Sequence, residues 1–357
     1  MDGDVRVPAG ALRAFMERAF AAEGFAAEQA AQIADVLMQA DLFGIESHGA
    51  QRMMYYHRNI ASGSAVVGAE PEILRQTPVS ALVDGHFAMG HLAARMGMQL
   101  AIDKAKAAGV GICAVRNSSH YGIAGYYTLM AAREGLAAFS MTNTGPIMTP
   151  TFGVEMMLGT NPIAFCMPAD PVPFWFDAST TVVTLGKVEV HAKRGRVMPE
   201  GWTIGADGQP CRDAQRMNDS ILAGEMGGIL PLGGAGETLG GHKGYGLGVM
   251  VEALTGVLAQ GLTAPDMQGA HGDHTCHFFM AFDPAMFGDA GEIRAGMSRY
   301  LARLRESERA PGCARIYTPG EKAFAAQQDR LERGVPVENK TLAELRQIAS
   351  ELGIEGI

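Results

Sequence analysis

The chain has 357 residues, a formal charge of −9 at neutral pH, 47% hydrophobic and 19% charged residues, and 46 glycines. Its length leaves room for roughly two or three domains and a large core. The acidic balance, with no Lys/Arg cluster interleaved with aromatics, speaks against a nucleic-acid partner. No apolar run approaches a membrane span, and residues 1–6 (Met-Asp-Gly-Asp-Val-Arg) are not a basic leader, so a cytoplasmic protein without a membrane partner is expected. Cys113, Cys166, Cys211, Cys276 and Cys313 are scattered and read as reduced thiols.

From the N-terminus, Leu12, Phe15, Met16, Ala19 and Phe20 predict a helix over 11–23 that ends at Gly24. Ile33, Val36, Leu37 and Ala40 predict a second over 27–43 that ends at Gly44. Ile45-Glu-Ser-His-Gly-Ala-Gln-Arg52 follows, with a short helix to about Ser62. A helix beginning just after Gly49 puts Arg52 and Tyr56 on one face. The guanidinium could grip a carboxylate, and His48, beside Ser47, could deliver a proton to the attached group. The plainer alternative is a capping Ser beside an exposed His and Arg.

Next come a strand at Ala81–Val83, a helix from Gly90 to about Ala108 and a strand over 109–116. Asn117-Ser-Ser-His-Tyr-Gly-Ile-Ala-Gly125 then opens an apolar helix, Tyr126–Ala132. A strand feeding a helix through a Gly-containing turn leaves N–H groups that suit an anion, with His120 beside them as a group titrating near neutrality. A surface turn whose His is satisfied by backbone is the alternative. Strands at Leu136–Thr142, Ile163–Met167 and Phe174–Phe176 precede a predicted helix over 178–194. Asp177-Ala-Ser-Thr-Thr181 is either its N-cap or a cofactor contact.

Residues 196–241 are loop-rich and lead into the glycines of 233–248. A phosphate loop fails there, because His242 precedes Lys243 and Gly244 stands where Ser or Thr is required. No G-x-G-x-x-G lies between a predicted strand and helix. Lys243 could still meet a phosphate or ribose. Leu247–Leu258 is apolar nearly all round and predicts a buried helix. His271-Gly-Asp-His-Thr-Cys-His277 has ligand types that suit zinc, yet it runs into a core strand over 275–283 that would send Cys276 and His277 to opposite faces. Helices over Glu321–Arg333 and Leu342–Leu352 close the chain, the second behind a capping box, Thr341-Leu-Ala-Glu344.

Alternating strands and helices predict an α/β fold, and the helical ends could pack together as one discontinuous domain. The expected division is 1–75 plus 311–357 for the helical domain and 76–310 for the α/β domain.

The ordered segments Asp41-Leu-Phe-Gly-Ile-Glu-Ser-His-Gly-Ala-Gln-Arg52, Val115-Arg-Asn-Ser-Ser-His-Tyr-Gly-Ile-Ala-Gly125, Leu158-Gly-Thr-Asn-Pro-Ile-Ala164, Phe176-Asp-Ala-Ser-Thr180, Gly186-Lys187, Pro199-Glu-Gly-Trp202, His242-Lys-Gly-Tyr-Gly246 and Pro319-Gly-Glu321 together resemble the malate/L-lactate dehydrogenase family of the second type. That family is unrelated to the Rossmann-fold lactate and malate dehydrogenases. The resemblance implies a non-Rossmann dinucleotide-binding α/β domain with a mixed or antiparallel sheet, an NAD (or NADP) cofactor, a small anionic 2-oxo or 2-hydroxy acid substrate and a homodimer. It implies His48 as proton donor oriented by Ser47, Arg52 on the substrate carboxylate with Tyr56 as a further contact, and His120 at the cofactor–substrate junction, an acid/base in some branches. It implies cofactor contacts at His120, Tyr121, Gly122, Asp177, Ala178, Ser179, His242, Lys243, Pro319, Gly320 and Glu321, and no metal.

The branch that reduces cyclic imino acids carries Gly-Asp where this chain has Gly186-Lys187, which argues against an imine reductase. Cys211-Arg-Asp213 departs from the Pro-Thr-containing turn usual in the family. The readings from other classes are a metal protein built on His271, Asp273, His274 and His277, and a dinucleotide-binding protein without catalysis.

Overall fold

The structure is a computed structural model that describes residues 5–267 and 274–357. β1 (Val5–Val7) leads into α1 (Ala9–Ala22) and α2 (Ala27–Leu42). Leu12, Phe15, Met16 and Phe20 of α1 bury against Ile33 and Leu37 of α2, each contributing ~1.5–3 kcal/mol. Two single 3₁₀ turns, Glu46–His48 and Ala50–Arg52, separate α2 from α3 (Met53–Ala61). The helix expected just after Gly49 therefore starts at Met53. The buried Asp41 carboxylate accepts the Ala50 N–H at 2.8 Å and holds this segment back against α2.

The middle of the chain supplies β2 (Glu72–Gln76), β3 (Ser80–Asp84), α4 (Gly90–Ala108), β4 (Val110–Ser118), α5 (Ala124–Arg133), β5 (Ala137–Thr142), β6 (Ile163–Met167) and β7 (Phe174–Ala178). β2 was not expected. It is a mostly exposed edge strand with a register shift, so its sequence carries no clean alternation. β4 runs past its expected end because Ser118 pairs with Thr275. Beyond β7 lie α6 (Leu185–Lys193), β8 (Thr203–Gly205), α7 (Ala214–Ala223), β9 (Gly227–Ile229), α8 (Gly241–Glu252), α9 (Ala264–Met267), β10 (Thr275–Phe282), α10 (Ala290–Glu306), α11 (Glu321–Arg333), β11 (Val335–Val337) and α12 (Asn339–Leu352).

A seven-stranded mixed sheet runs in the order β2-β3-β4-β10-β5-β6-β7. Its β3–β4 pair is parallel and the remaining pairs are antiparallel. This is the expected non-Rossmann α/β architecture, since the Rossmann fold needs a parallel, doubly wound sheet. One sheet face sends Val115, Phe279, Ala138, Ala164 and Trp175 into a core shared with α4 and α5. At the chain ends β1 pairs with β11. Val335, Leu342, Leu345 and Ile348 then join the apolar cluster of α1, α2 and α3.

Several expected elements are corrected. The helix predicted over 178–194 begins only at Leu185. Asp177 and Ala178 still belong to β7, the Thr180 N–H goes to the Thr160 carbonyl at 2.9 Å, and Thr181 bridges to Pro231. Within the loop-rich 196–241, α7 has Met217 and Ile221 buried on one side and Gln215, Arg216, Asp219 and Leu222 exposed on the other. The Leu247–Leu258 segment is not buried all round: Val251 packs on Met141 and Phe278, while Leu247, Met250, Val257 and Leu258 are exposed. The last helix starts at Asn339 with Glu338 as N-cap. Thr341 is buried inside its first turn rather than capping it, because β11 delivers the chain directly into the helix.

Candidate active site

The segment carrying Ser47 and His48 is fixed from two sides. Besides the Asp41–Ala50 bond, Arg330 of α11 donates to the Asp41 carbonyl at 2.5 Å and pairs with Glu46. Burial pushes the Asp41 carboxyl up to about 7, against the pull of the Ala50 N–H and Arg330. Ser47 Oγ lies 2.9 Å from His48 Nδ1. Arg52 Nε donates to the Ser47 carbonyl at 2.7 Å, and its guanidinium carbon sits 5.8 Å from the Tyr55 ring centre. Among the described residues no carboxylate pairs with Arg52, so its terminal nitrogens remain available.

His120 arrives from β4. Gly90 at the head of α4 permits a close approach: a Cβ there would lie 2.0 Å from the Ser119 carbonyl oxygen. The Gly90 N–H instead reaches Ser119 Oγ at 2.8 Å. The His48 and His120 rings stack, with centroids 5.4 Å apart and planes 27° from parallel. The Gly122 N–H donates to His120 Nδ1 at 3.4 Å, so that nitrogen is an acceptor. The Tyr56 hydroxyl shares a 2.7 Å hydrogen bond with the same atom.

These rings are held neutral. Burial, followed by the Arg52 charge, pulls His48 down to about 4. Burial first, and then His48, Arg52, His91 and His277, holds His120 well below its ordinary value. Burial takes His91 and His277 down to about 3.

Asp177 corrects a second expectation. Its carboxylate accepts the Gly125 N–H at 2.7 Å, so the N-terminus of α5 is capped by the chain's own anion. Burial outweighs that bond and pushes Asp177 up to about 6.

These groups face a cavity of about 730 Å³. Ser47, His48, Arg52, Tyr55 and His120 line one part of it, and Gly122, Asp177, Ala178 and Ser179 contribute to its walls. Tyr56 is buried behind His120. The Tyr121 side chain turns into the core, where its ring stacks on His277 at 4.4 Å and its hydroxyl lies 3.3 Å from Ser140. His242 and Lys243 are exposed at the head of α8, outside the cavity lining. Pro319 and Gly320 line a separate cavity with Trp175, Phe176 and Asp177. The Glu321 carboxylate accepts the Thr318 N–H at 2.7 Å.

Of the proposed zinc ligands, His271 and Asp273 lie outside the described residues. His277 is a core residue, 2.8 Å from both Thr142 Oγ1 and Ser118 Oγ. Among the described residues no grouping of His, Cys, Asp and Glu could hold a metal, and no helix is long and apolar enough to cross a membrane.

Sequence reasoning missed Tyr55, Thr144, Thr160, Thr275 and the 221–224 end of α7, all of which line the cavity. Thr144-Gly-Pro146 stands just past the carboxyl end of β5, where ligands of α/β sheets commonly bind. That position was the available signal. The 221–224 wall was hidden because α7 was not recognised.

Residues 7–346 match the family model described as malate/L-lactate dehydrogenase. A malate dehydrogenase of Pyrococcus abyssi is 43% identical over 355 residues, covering 99% of this chain and 96% of that protein. A malate/(S)-sulfolactate dehydrogenase of Methanothermus fervidus is 34% identical over 340 residues, covering 93% and 94%. The solved malate dehydrogenase of Pyrococcus horikoshii OT3 superposes with a TM-score of 0.91 at 40% identity, covering 100% of this chain and 98% of that one.

Proposed function

The chain belongs to the malate/L-lactate dehydrogenase family, and from that premise we propose that its cavity interconverts a small 2-oxo acid and the corresponding 2-hydroxy acid with NAD as the cofactor. It is a nicotinamide-dependent oxidoreductase of hydroxy acids. The bound nicotinamide supplies or receives the hydride. The observation that carries the proposal is the meeting, in one cavity, of two stacked neutral histidines and a guanidinium with free terminal nitrogens.

Arg52 binds the substrate carboxylate through those nitrogens. His120, which lines the same cavity, is placed to meet the substrate oxygen at C2. His48 delivers a proton to that oxygen in reduction and removes it in oxidation, with Ser47 orienting its ring. Proton uptake is coupled to substrate binding. Burial is the larger cause of the low His48 pKa and the Arg52 charge the second, so a carboxylate on Arg52 removes the second and moves the His48 pKa upward.

Gly122, Asp177, Ala178 and Ser179 would hold the cofactor, in a cavity whose size suits a small-molecule ligand. NAD is favoured over NADP because Arg52 is the only Lys or Arg among the described lining residues, and a ribose 2′-phosphate calls for a cation. Oxaloacetate is the first acid to try, given the malate dehydrogenases at about 40% identity. The test is loss of reduced-nicotinamide absorbance with oxaloacetate, pyruvate and sulfopyruvate, using NADH and NADPH in parallel. Oxidation of NADH by one of these acids supports the proposal. Silence with all of them, in protein that binds NADH, overturns it.

Tyr56→Phe removes the hydroxyl bonded to His120 Nδ1 and leaves the ring less firmly held. The lost bond, about 1–1.5 kcal/mol, lowers kcat roughly tenfold with little change in KM. A raised KM at unchanged kcat would instead make Tyr56 a substrate contact.

The helical domain of 1–75 and 311–357 is supported by the apolar cluster that α1, α2, α3 and α12 share. A homodimer is supported by the sheet face opposite α4 and α5. There Ile112, Phe139, Ile163 and Met280 are only partly buried, near the exposed Leu247, Met250 and Val257. The wild-type chain is expected to sediment as a dimer, and Leu247→Glu/Met250→Glu as a monomer. A monomeric wild type, or an unaffected variant, would remove this assignment.

A further inference from the structure

Buried polar groups in folded proteins almost always find a hydrogen-bond partner, and the exceptions call for an explanation. In this chain, Thr275 at the start of β10 is such an exception. It is 3% exposed, and its Oγ1 has no partner among the described residues. Other orphaned groups occur, among them His91, Thr149 and Asn161, but none of these lines the cavity. Thr275 does.

Its place in the sheet is specific. Thr275 pairs with Ser118, two positions before His120. The following residue, Cys276, donates its N–H to Asn143 Oδ1 at 2.8 Å, next to Thr144. Thr275 therefore occupies the strand between the one that delivers His120 and the one that delivers Thr144, both cavity residues. The surrounding main chain is already committed: the Asn143 N–H and the Thr142 hydroxyl both go to the Cys276 carbonyl, at 3.2 and 3.0 Å. A threonine hydroxyl needs only rotation about its Cβ–Oγ bond to change the direction of its O–H.

We propose that Thr275 is a ligand-binding residue, whose hydroxyl, without a partner among the described residues, hydrogen-bonds a polar oxygen or amide of the bound ligand. This inference rests on the oxidoreductase reading above. The shared chemistry is a planar amide or carboxyl group. Two ligand groups carry it, the carboxamide of the nicotinamide and the carboxylate or carbonyl of the acid. The hydroxyl is an unmet hydrogen-bonding capacity that only the complex fulfils, so it contributes to affinity and not to the stability of the free chain.

That asymmetry supplies the test. Thr275→Val keeps the shape and removes the hydroxyl, and Thr275→Ser keeps the hydroxyl. In the free protein the Val variant is expected to melt no lower than wild type, because no internal bond is lost. NADH binding without acid, followed by fluorescence, and the KM of the acid at saturating NADH are then measured. A rise of about tenfold in the NADH dissociation constant for Val, with Ser near wild type, assigns the hydroxyl to the carboxamide. The same rise confined to the acid KM assigns it to the substrate. Unchanged values in both assays, a lower melting temperature for Val, or equal impairment of Val and Ser would overturn the proposal. Wild-type turnover in the same assays separates that failure from a failure of the oxidoreductase reading itself.

Discussion

A His48→Ala enzyme is expected to lose about 10²–10⁴-fold in turnover while binding NADH as tightly as the wild type. The loss follows from chemistry at one atom: without His48 the oxygen at C2 loses the group assigned to give it a proton or take one away. The pH dependence carries the same signature. In hydroxy-acid oxidation His48 must start neutral, and its folded-state pKa is about 4. With respect to His48, kcat/KM should therefore stay level from neutral pH downward and fall only as pH approaches that value. Steady-state kinetics across pH check both points. Near-wild-type turnover in His48→Ala would remove His48 from the mechanism.

Replacing Arg52 with alanine should lower kcat/KM for the acid about a hundredfold, through a higher KM. A bidentate charge-assisted pair is worth about 3 kcal/mol, which corresponds to roughly that factor. Lysine should restore little, because a single ammonium cannot reproduce the two-pronged fork or the Nε bond to the Ser47 carbonyl. A second effect has a definite sign. Arg52 depresses the His48 pKa, so its removal raises that pKa and moves the acid limb of the oxidation profile to higher pH. An unchanged KM together with an unmoved limb would show that the carboxylate is held elsewhere.

Much of this site could be read from the chain before its fold was known, and the failures have physical causes. Ser47, His48, Arg52 and His120 lie in short polar stretches that interrupt apolar elements, and the cavity gathers all four. Tyr56 and Arg52 were expected side by side on one helix, but Asp41 breaks that helix and sends Tyr56 behind His120. The turn at Gly122–Gly125 has the form of an anion site, yet the anion is Asp177, which lies 52 residues beyond Gly125. A pairing across the sheet leaves no trace in local spacing. The same holds for Thr275, hidden within a strand pattern that reads as core. His277 looked like a metal ligand because its residue type suits one, and only the register shows it enclosed by Thr142, Ser118 and Tyr121. On α8, apolar composition was correct but burial was not, since composition does not distinguish a core from an exposed apolar surface.

Reduction of a 2-oxo acid at C2 in this cavity can be followed by the fate of a deuterium label. The wild-type enzyme is given NADH deuterated at the transferring position of C4 and the most active acid of the panel, and the product is read by NMR. One deuterium per product molecule is expected, on C2 of the hydroxy acid. Product formed with only protium at C2 would contradict it.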